Sequence, residues 1–345
     1  MRETDLYTAK PLVAVTRGAV TECVHSGHVA VVDADGLLCY SLGNPEATTF
    51  MRSAAKPAQT IPVILSGAAD RFQFTDAELA VMCGSHYAEQ HHLDAVQGIL
   101  EKIRLGPQHL KCGPATSLNP ELAWKMAWNH REKEPIYNDC SGKHAGMLAV
   151  CVQNGWPILG YTHPEHPMQR EIHRMTAALC GLMMDEIEIG VDGCAAPVFA
   201  MPLSAMARAF AHLANPDTVD EPIRSALVRI RDAMWAHPEM LAGTGGFCTA
   251  LNAGGRGHVV GKLGAEGIYC MGITGRNLGI ALKINDGAFR AVWPSALAVL
   301  DQLQAVDETL ESVINGFREM PNRNDHGDTV GRIRSVFTLT AVPDS

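Results

Sequence analysis

Arg52-Ser53-Ala54-Ala55-Lys56-Pro57 is the stretch from which the fold and the chemistry of this chain are read. It carries a Ser-x-x-Lys spacing. On a helix, residues three apart share a face, so the Lys56 amine can reach the Ser53 hydroxyl. Serine is a poor nucleophile near neutral pH, and a lysine kept neutral by burial or by a neighbouring cation can take its proton. Upstream, residues 12–16 read as a short apolar strand. Residues 28–32 and 37–40 flank Asp33-Ala34-Asp35-Gly36, whose Asp-Gly suits a hairpin. Downstream, residues 58–65 read as a helix that Pro57 and Pro62 make irregular or late-starting. The stretch is thus a strand region giving way to a helix, with reactive groups near the helix start.

The middle of the chain is mostly helical. Thr75-Asp76-Ala77-Glu78 has the form of a capping box. Residues 89–103, 166–179, 202–213 and 223–235 repeat apolar side chains at helical spacing. Strands return at 258–263, 268–273 and 278–284 with Gly-rich turns between them, and residues 291–303 and 309–317 read as closing helices. This order predicts an α+β fold in which N- and C-terminal strands meet in one antiparallel sheet flanked by helices. No linker interrupts the chain, so residues 1–345 are expected to form a single compact catalytic domain, with a helical lobe at about 75–240 inserted between the sheet-forming segments.

The 345 residues are 47% hydrophobic and 19% charged, enough apolar material for a sizeable core. The net charge of −9 and the absence of a Lys/Arg run argue against nucleic acid. Met1-Arg2-Glu3-Thr4-Asp5 is charged with no apolar run behind it, so a signal peptide is not expected. No segment reaches the roughly 20 apolar residues of a membrane span. The expected setting is cytoplasmic, where ten cysteines without a Cys-x-x-Cys read mostly as small buried hydrophobes rather than disulfides.

A second reactive cluster is Asp139-Cys140-Ser141-Gly142-Lys143-His144, with a thiol, a hydroxyl, an amine and an imidazole in succession. A thiolate is a strong soft-metal ligand, and a histidine or a deprotonated lysine can join it. Asp192-Gly193-Cys194, after the strand-like 187–190, supplies a second sulfur and a carboxylate able to hold a ligand or water. Two buried structural cysteines are the alternative. Cys83-Gly84-Ser85-His86 places another hydroxyl at a turn after a helix, or else a plain helix end. Gly261-Lys262-Leu263-Gly264 lies near the end of a late strand and could bring a second lysine. Gly243-Thr244-Gly245-Gly246 is a flexible turn lacking the ending of a phosphate-binding loop. His91 and His92 read as residues of a solvated helix, and His237-Pro238-Glu239-Met240 as a turn.

Taken in order, these motifs resemble the class 3, rhizobial-type L-asparaginases of the asparaginase II family, from about residue 12 to 284. The resemblance implies a fold like that of serine β-lactamases and penicillin-binding proteins, a homodimer, and hydrolysis of L-asparagine to L-aspartate and ammonia. It implies two serine–lysine pairs, Ser53 with Lys56 and Ser85 with Lys262. It further implies zinc on Cys140, Lys143 and Cys194, and substrate contacts from Arg52, His144 and Asp192. Two lysines close together would depress each other's pKa and arm a hydroxyl, Ser85 being the expected nucleophile, relayed through Ser53. The rival readings are a β-lactamase- or esterase-type serine hydrolase on the same fold, and a non-catalytic zinc or thiol sensor.

Overall fold

The computed structural model describes residues 7–343; the charged stretch 1–5 read above lies outside them. The main sheet among the described residues has nine strands, its middle built from apolar, β-branched segments. Its strands are β1 (Lys10–Arg17), β2 (Val20–Asp33), β3 (Leu38–Leu42), β4 (Val259–Gly264), β5 (Ile268–Ile273), β6 (Leu278–Ile284), β7 (Met320–Arg323), β8 (Thr329–Ser335) and β9 (Thr340–Ala341). The order runs β7-β8-β1-β2-β6-β5-β4, with β3 beside β2 and β9 beside β3. The pairings are antiparallel. N- and C-terminal segments meet three times, the shortest contact being Thr340–Ala341 of β9 on Ser41 and Tyr40 of β3. Gly27 to Asp33 of β2 align with Ile284 to Leu278 of β6, and Val13–Val15 of β1 with Ser335–Ile333 of β8. The architecture is α+β, as the strand–helix–strand order predicts.

The chain divides into two compact units. One is Met1–Ala54, Ala200–Asn215 and Ala250–Ser345; the other is Ala55–Phe199 and Pro216–Thr249. The helical unit therefore starts earlier than the lobe read at about 75–240, and the helix Leu203–Ala214 belongs with the sheet. The reason is local. Gly272 and Gly279 on β5 and β6 let that helix approach so closely that a Cβ at Gly279 would lie 1.8 Å from the Ala207 carbonyl oxygen. The helix Phe289–Gln302 packs on β8, β6 and β1.

In the helical unit, the helix Lys56–Leu65 contacts the helices Asp76–Cys83, Ser141–Asn154, Pro167–Cys180 and Ile223–Ala236. It follows a 3₁₀ turn, Arg52–Ala55, carries Pro57 in its first turn and tolerates Pro62 inside. The capping box is present: the Thr75 hydroxyl accepts from the Glu78 N–H, and the Thr75 N–H donates to the Glu78 carboxylate at 2.7 Å. Among the described residues no helix is long and apolar enough to cross a membrane. The ten cysteines are all thiols, as the sequence predicts, and form no disulfide.

Candidate active site

Lys56 opens its helix and is fully buried. A buried ammonium needs acceptors for its three protons, and the helical unit supplies them. Nζ donates to the Gly84 carbonyl at 2.6 Å, the Ser85 hydroxyl at 3.0 Å and the Asp139 carbonyl at 3.1 Å, with the Asp139 carboxylate at 3.4 Å. Burial alone would depress this amine. The acidic groups of Cys140 and Asp139 outweigh both burial and the opposing Lys143, and hold it above the ordinary lysine value of 10.5. The resting lysine is thus charged, contrary to the expectation of a neutral one: Lys143 does oppose the charge, but two acids lie closer to deciding it. The bond to Ser85 crosses the two pairs that the resemblance implies.

Ser85 is placed by backbone contacts that only glycine permits. The helix Asp76–Cys83 ends at Gly84 in extended conformation, and a Cβ there would lie 2.3 Å from the Met240 carbonyl oxygen. The Ser85 N–H donates to the Leu241 carbonyl at 2.9 Å. The His237-Pro238-Glu239-Met240 segment is therefore a brace for the serine rather than a bare turn. His92 ties it down: Nδ1 accepts from the Glu89 N–H and Nε2 donates to the Glu239 carbonyl at 2.9 Å. His92 is buried and stacked on His86, which corrects its reading as a residue of a solvated helix. Glu89, His91 and His92 bring possible ligand atoms within 4.8 Å of one another, but both His92 nitrogens are occupied by backbone groups. The Gly-rich turn reaches the same place, with the Thr244 N–H and hydroxyl on the Glu89 carboxylate.

Asp139 and Cys140 sit in a turn set by Asn138. Its side chain donates to the Cys112 carbonyl and accepts from the Cys140 N–H, both at 2.9 Å. The helix Ser141–Asn154 then starts against the Val81 carbonyl, 2.4 Å from where a Cβ on Gly142 would stand. His86, with Nδ1 accepting from the Ala88 N–H, donates Nε2–H to Ser141 at 2.8 Å, and Ser141 donates to the Ile136 carbonyl at 3.0 Å. Burial, with His92 second, pushes His86 down to about 3, so the imidazole is neutral.

Cys140, Lys143 and Cys194 are all buried, and Lys143 Nζ donates to Cys194 Sγ at 3.1 Å. The Cys194 thiol is held far below its ordinary pKa, first by the hydrogen bond from Cys140 and then, against burial, by the Lys143 charge. Cys140 is correspondingly raised. Burial depresses Lys143, and the two cysteines with Asp192 more than reverse that, so it is charged. Asp192 Oδ2 lies 3.9 Å from Cys194 Sγ. Cys140 and Cys194 offer two soft sulfurs, one of them a thiolate, and Lys143 joins them as a ligand only on losing the proton it carries here; with that proton displaced, the three fit zinc. His144 has a different part. The Tyr161 hydroxyl accepts from the Lys111 N–H at 2.9 Å and gives its proton to His144 Nδ1 at 2.7 Å. Nε2 then carries the other proton and is buried, and His144 is one of the groups that lower the Cys194 thiol through a side-chain hydrogen bond. An N–H is a donor for an anionic group, not a metal ligand.

In the sheet unit, Ser53 is half-buried in the 3₁₀ turn. Arg52 begins that turn with φ 52°, in the left-handed region, its guanidinium 4.0 Å from Glu266. Lys262 lies on β4, fully buried, donating to the Leu263 carbonyl at 2.9 Å. The sequence reading missed Asp139, Asn138 and Tyr161. Asp139 was visible beside Cys140. Tyr161 lies in an irregular segment where nothing in the spacing marks it.

A family model for L-asparaginase II matches residues 13–335. The class so defined is amidohydrolase, and the chain belongs to the L-asparaginase II family. No curated protein sequence matches. Among solved structures, a β-lactamase from Mycobacterium bovis aligns over 81% of this chain and 95% of its own at 13% identity and a TM-score of 0.40. Mglu in its glutamate form aligns over 81% of this chain and 61% of its own, at 14% identity and a TM-score of 0.35. Both likenesses are too distant to bear on activity.

Proposed function

We propose that the protein is an L-asparaginase that hydrolyses L-asparagine to L-aspartate and ammonia. The observation that carries this reading is the fully buried Lys56 amine 3.0 Å from the Ser85 hydroxyl, in a chain of the L-asparaginase II family. Ser85 attacks the side-chain carboxamide, Lys56 takes the serine proton and returns a proton to the departing ammonia, and water then cleaves the aspartyl ester to release L-aspartate and restore the Ser85 hydroxyl. Ser53 and Lys262 complete the proton network in the family pattern, and the family resemblance extends the reading to a homodimer. Asp139 holds the Lys56 ammonium between turnovers. Arg52, Asp192 and the His144 Nε2–H bind the charged head of the amino acid. Cys140, Lys143 and Cys194 would hold zinc, which when bound supplies a fixed positive charge that orients the substrate.

The pH dependence follows from the sign of the Lys56 shift. Its raised pKa leaves only a small fraction neutral at pH 7, so kcat rises with pH through 10. A rate flat from pH 6 to 10 contradicts lysine as the base. The direct test is ammonia release from asparagine, glutamine and nitrocefin, with and without added zinc. Asparagine should be turned over; cleavage of nitrocefin without ammonia from asparagine would favour a β-lactamase.

A further inference from the structure

On the sheet unit, Cys23 and His25 stand two apart on β2, so strand alternation puts both side chains on one face. Asp286 follows β6, and Arg290 lies in the first turn of the helix Phe289–Gln302. The four side chains meet. His25 Nδ1 donates to the Asp286 carboxylate at 2.6 Å. His25 Nε2, left as the acceptor, receives Arg290 Nε–H at 2.9 Å and lies 3.7 Å from Cys23 Sγ. Arg290 also donates to Cys23 Sγ at 3.5 Å. His25 is buried and Cys23 half-buried, while the Asp286 side chain is 52% exposed. Burial alone would raise Asp286. The Ala288 N–H and His25 hydrogen bonds, with the Arg290 charge, reverse this and keep the carboxylate ionised. Glu22, the adjacent charge on β2, is engaged by Arg17 at 2.8 Å and Asn322 at 3.0 Å.

This is the arrangement that makes a thiol reactive. The carboxylate fixes the imidazole tautomer, and the one lone pair so left accepts the Arg290 Nε–H and aims the guanidinium at the thiol. The guanidinium stabilises the thiolate once the proton has gone. Cys39 provides a contrast within the chain: it too is half-buried, but it donates its S–H to the Leu37 carbonyl, a bond that favours the protonated form. The other eight cysteines are buried. None of the four residues belongs to the proposed asparaginase machinery, and the inference does not depend on that reading.

We propose that Cys23 is a modification site, a thiol armed by His25, Asp286 and Arg290 that forms a mixed disulfide with small soluble disulfides. Half-buried Cys23 gives its proton to solvent water, and Arg290, held by His25 and Asp286, stabilises the thiolate. The thiolate attacks one sulfur of the disulfide, a new S–S bond forms as the old one breaks, and the departing thiolate takes a proton from solvent water. One disulfide and one protein thiol give one mixed disulfide and one small thiol.

The test exposes the full chain to glutathione disulfide at pH 7 and follows intact mass and peptide mapping. One adduct forms, on Cys23, and Cys23→Ser abolishes it. Arg290→Gln and His25→Gln slow the adduct about tenfold, the scale of losing one charge-assisted hydrogen bond, with the melting temperature unchanged. Arg290→Lys, which keeps the charge but loses the fork, recovers part of the rate. Should either glutamine variant fail to fold, Asp286→Asn on the exposed rim slows the adduct in its place. Equal labelling of Cys39 and Cys23, or folded variants that react at the wild-type rate, overturns the proposal.

Discussion

The helical unit and the sheet unit each assemble a nucleophile, a cation and a carboxylate, and they do so to opposite effect. In the first, Ser85, Lys56 and Asp139 are drawn in by backbone carbonyls, and the lysine has no contact with water. In the second, Cys23 and His25 on β2 meet Asp286 just after β6 and Arg290 at a helix start, with Asp286 half-exposed to solvent. The difference teaches what each nucleophile requires. A hydroxyl is inert until a base is held against it in a dry pocket, whereas a thiol needs only a neighbouring cation and access. The first arrangement suits turnover of an enclosed substrate, and the second suits capture of a reagent from solution.

The largest expected effect separates the two. Lys56→Met should lower kcat for asparagine by about 10²–10⁴, whereas Cys23→Ser should leave it unchanged; steady-state ammonia release measures both, and equal losses would break the comparison. Next comes metal. Zinc by elemental analysis should stand near ~1 per chain in the wild type and fall close to zero in Cys194→Ser, with Cys23→Ser unaffected. Retained zinc in Cys194→Ser would remove the buried thiols from the site.

Smaller effects concern stability. Gly84→Ala should cost roughly 1–3 kcal/mol of unfolding free energy by denaturant titration, because its Cβ meets the Met240 carbonyl. The same change at Gly18, with open space around it but φ +56°, reports backbone strain alone and should cost less. A pH-dependent effect on stability is shared by both units. His92 in the helical unit and His212 in the sheet unit are each held at about 4 by burial. Below their unfolded pKa near 6.5 the unfolded chain binds more protons than the folded one. Stability is therefore lost as pH falls from about 6.5 toward 4, by roughly 1.4 kcal/mol per pH unit for each histidine. Thermal melts from pH 7 to 4.5 check it, and a flat profile contradicts it.

Most of the sheet was legible because alternation and Asp-Gly turns are local signals. The strands at 268–273 and 278–284 have the bounds that the sequence pattern gives them, and the Thr75 capping box is where it was read. The C-terminal strands β7 and β8 were not legible: polar, Arg-rich and half-exposed, they are strands because β1 offers an edge to pair with. The helix Ser141–Asn154 was obscured by its Gly and Ser start, which is explained by the Val81 carbonyl it packs against. At the candidate site the reactive residue types stood out, while their partners did not. Lys56 could be seen beside Ser53, but its bonds to Ser85 and Asp139 span 29 and 83 residues. Only the folded helical unit brings those together. Likewise, the charge on Lys56 is set by Cys140 and Asp139, which no local pattern links to it.

The central claim is that Ser85, facing the Lys56 amine, attacks a carboxamide. The measurement that meets it most directly is ammonia and aspartate release from L-asparagine by the zinc-supplemented wild type and by Ser85→Ala. The account predicts equal amounts of both products from the wild type and a loss of at least about a thousandfold in the variant. A wild type that releases no ammonia, or a Ser85→Ala variant that keeps its rate, would contradict it.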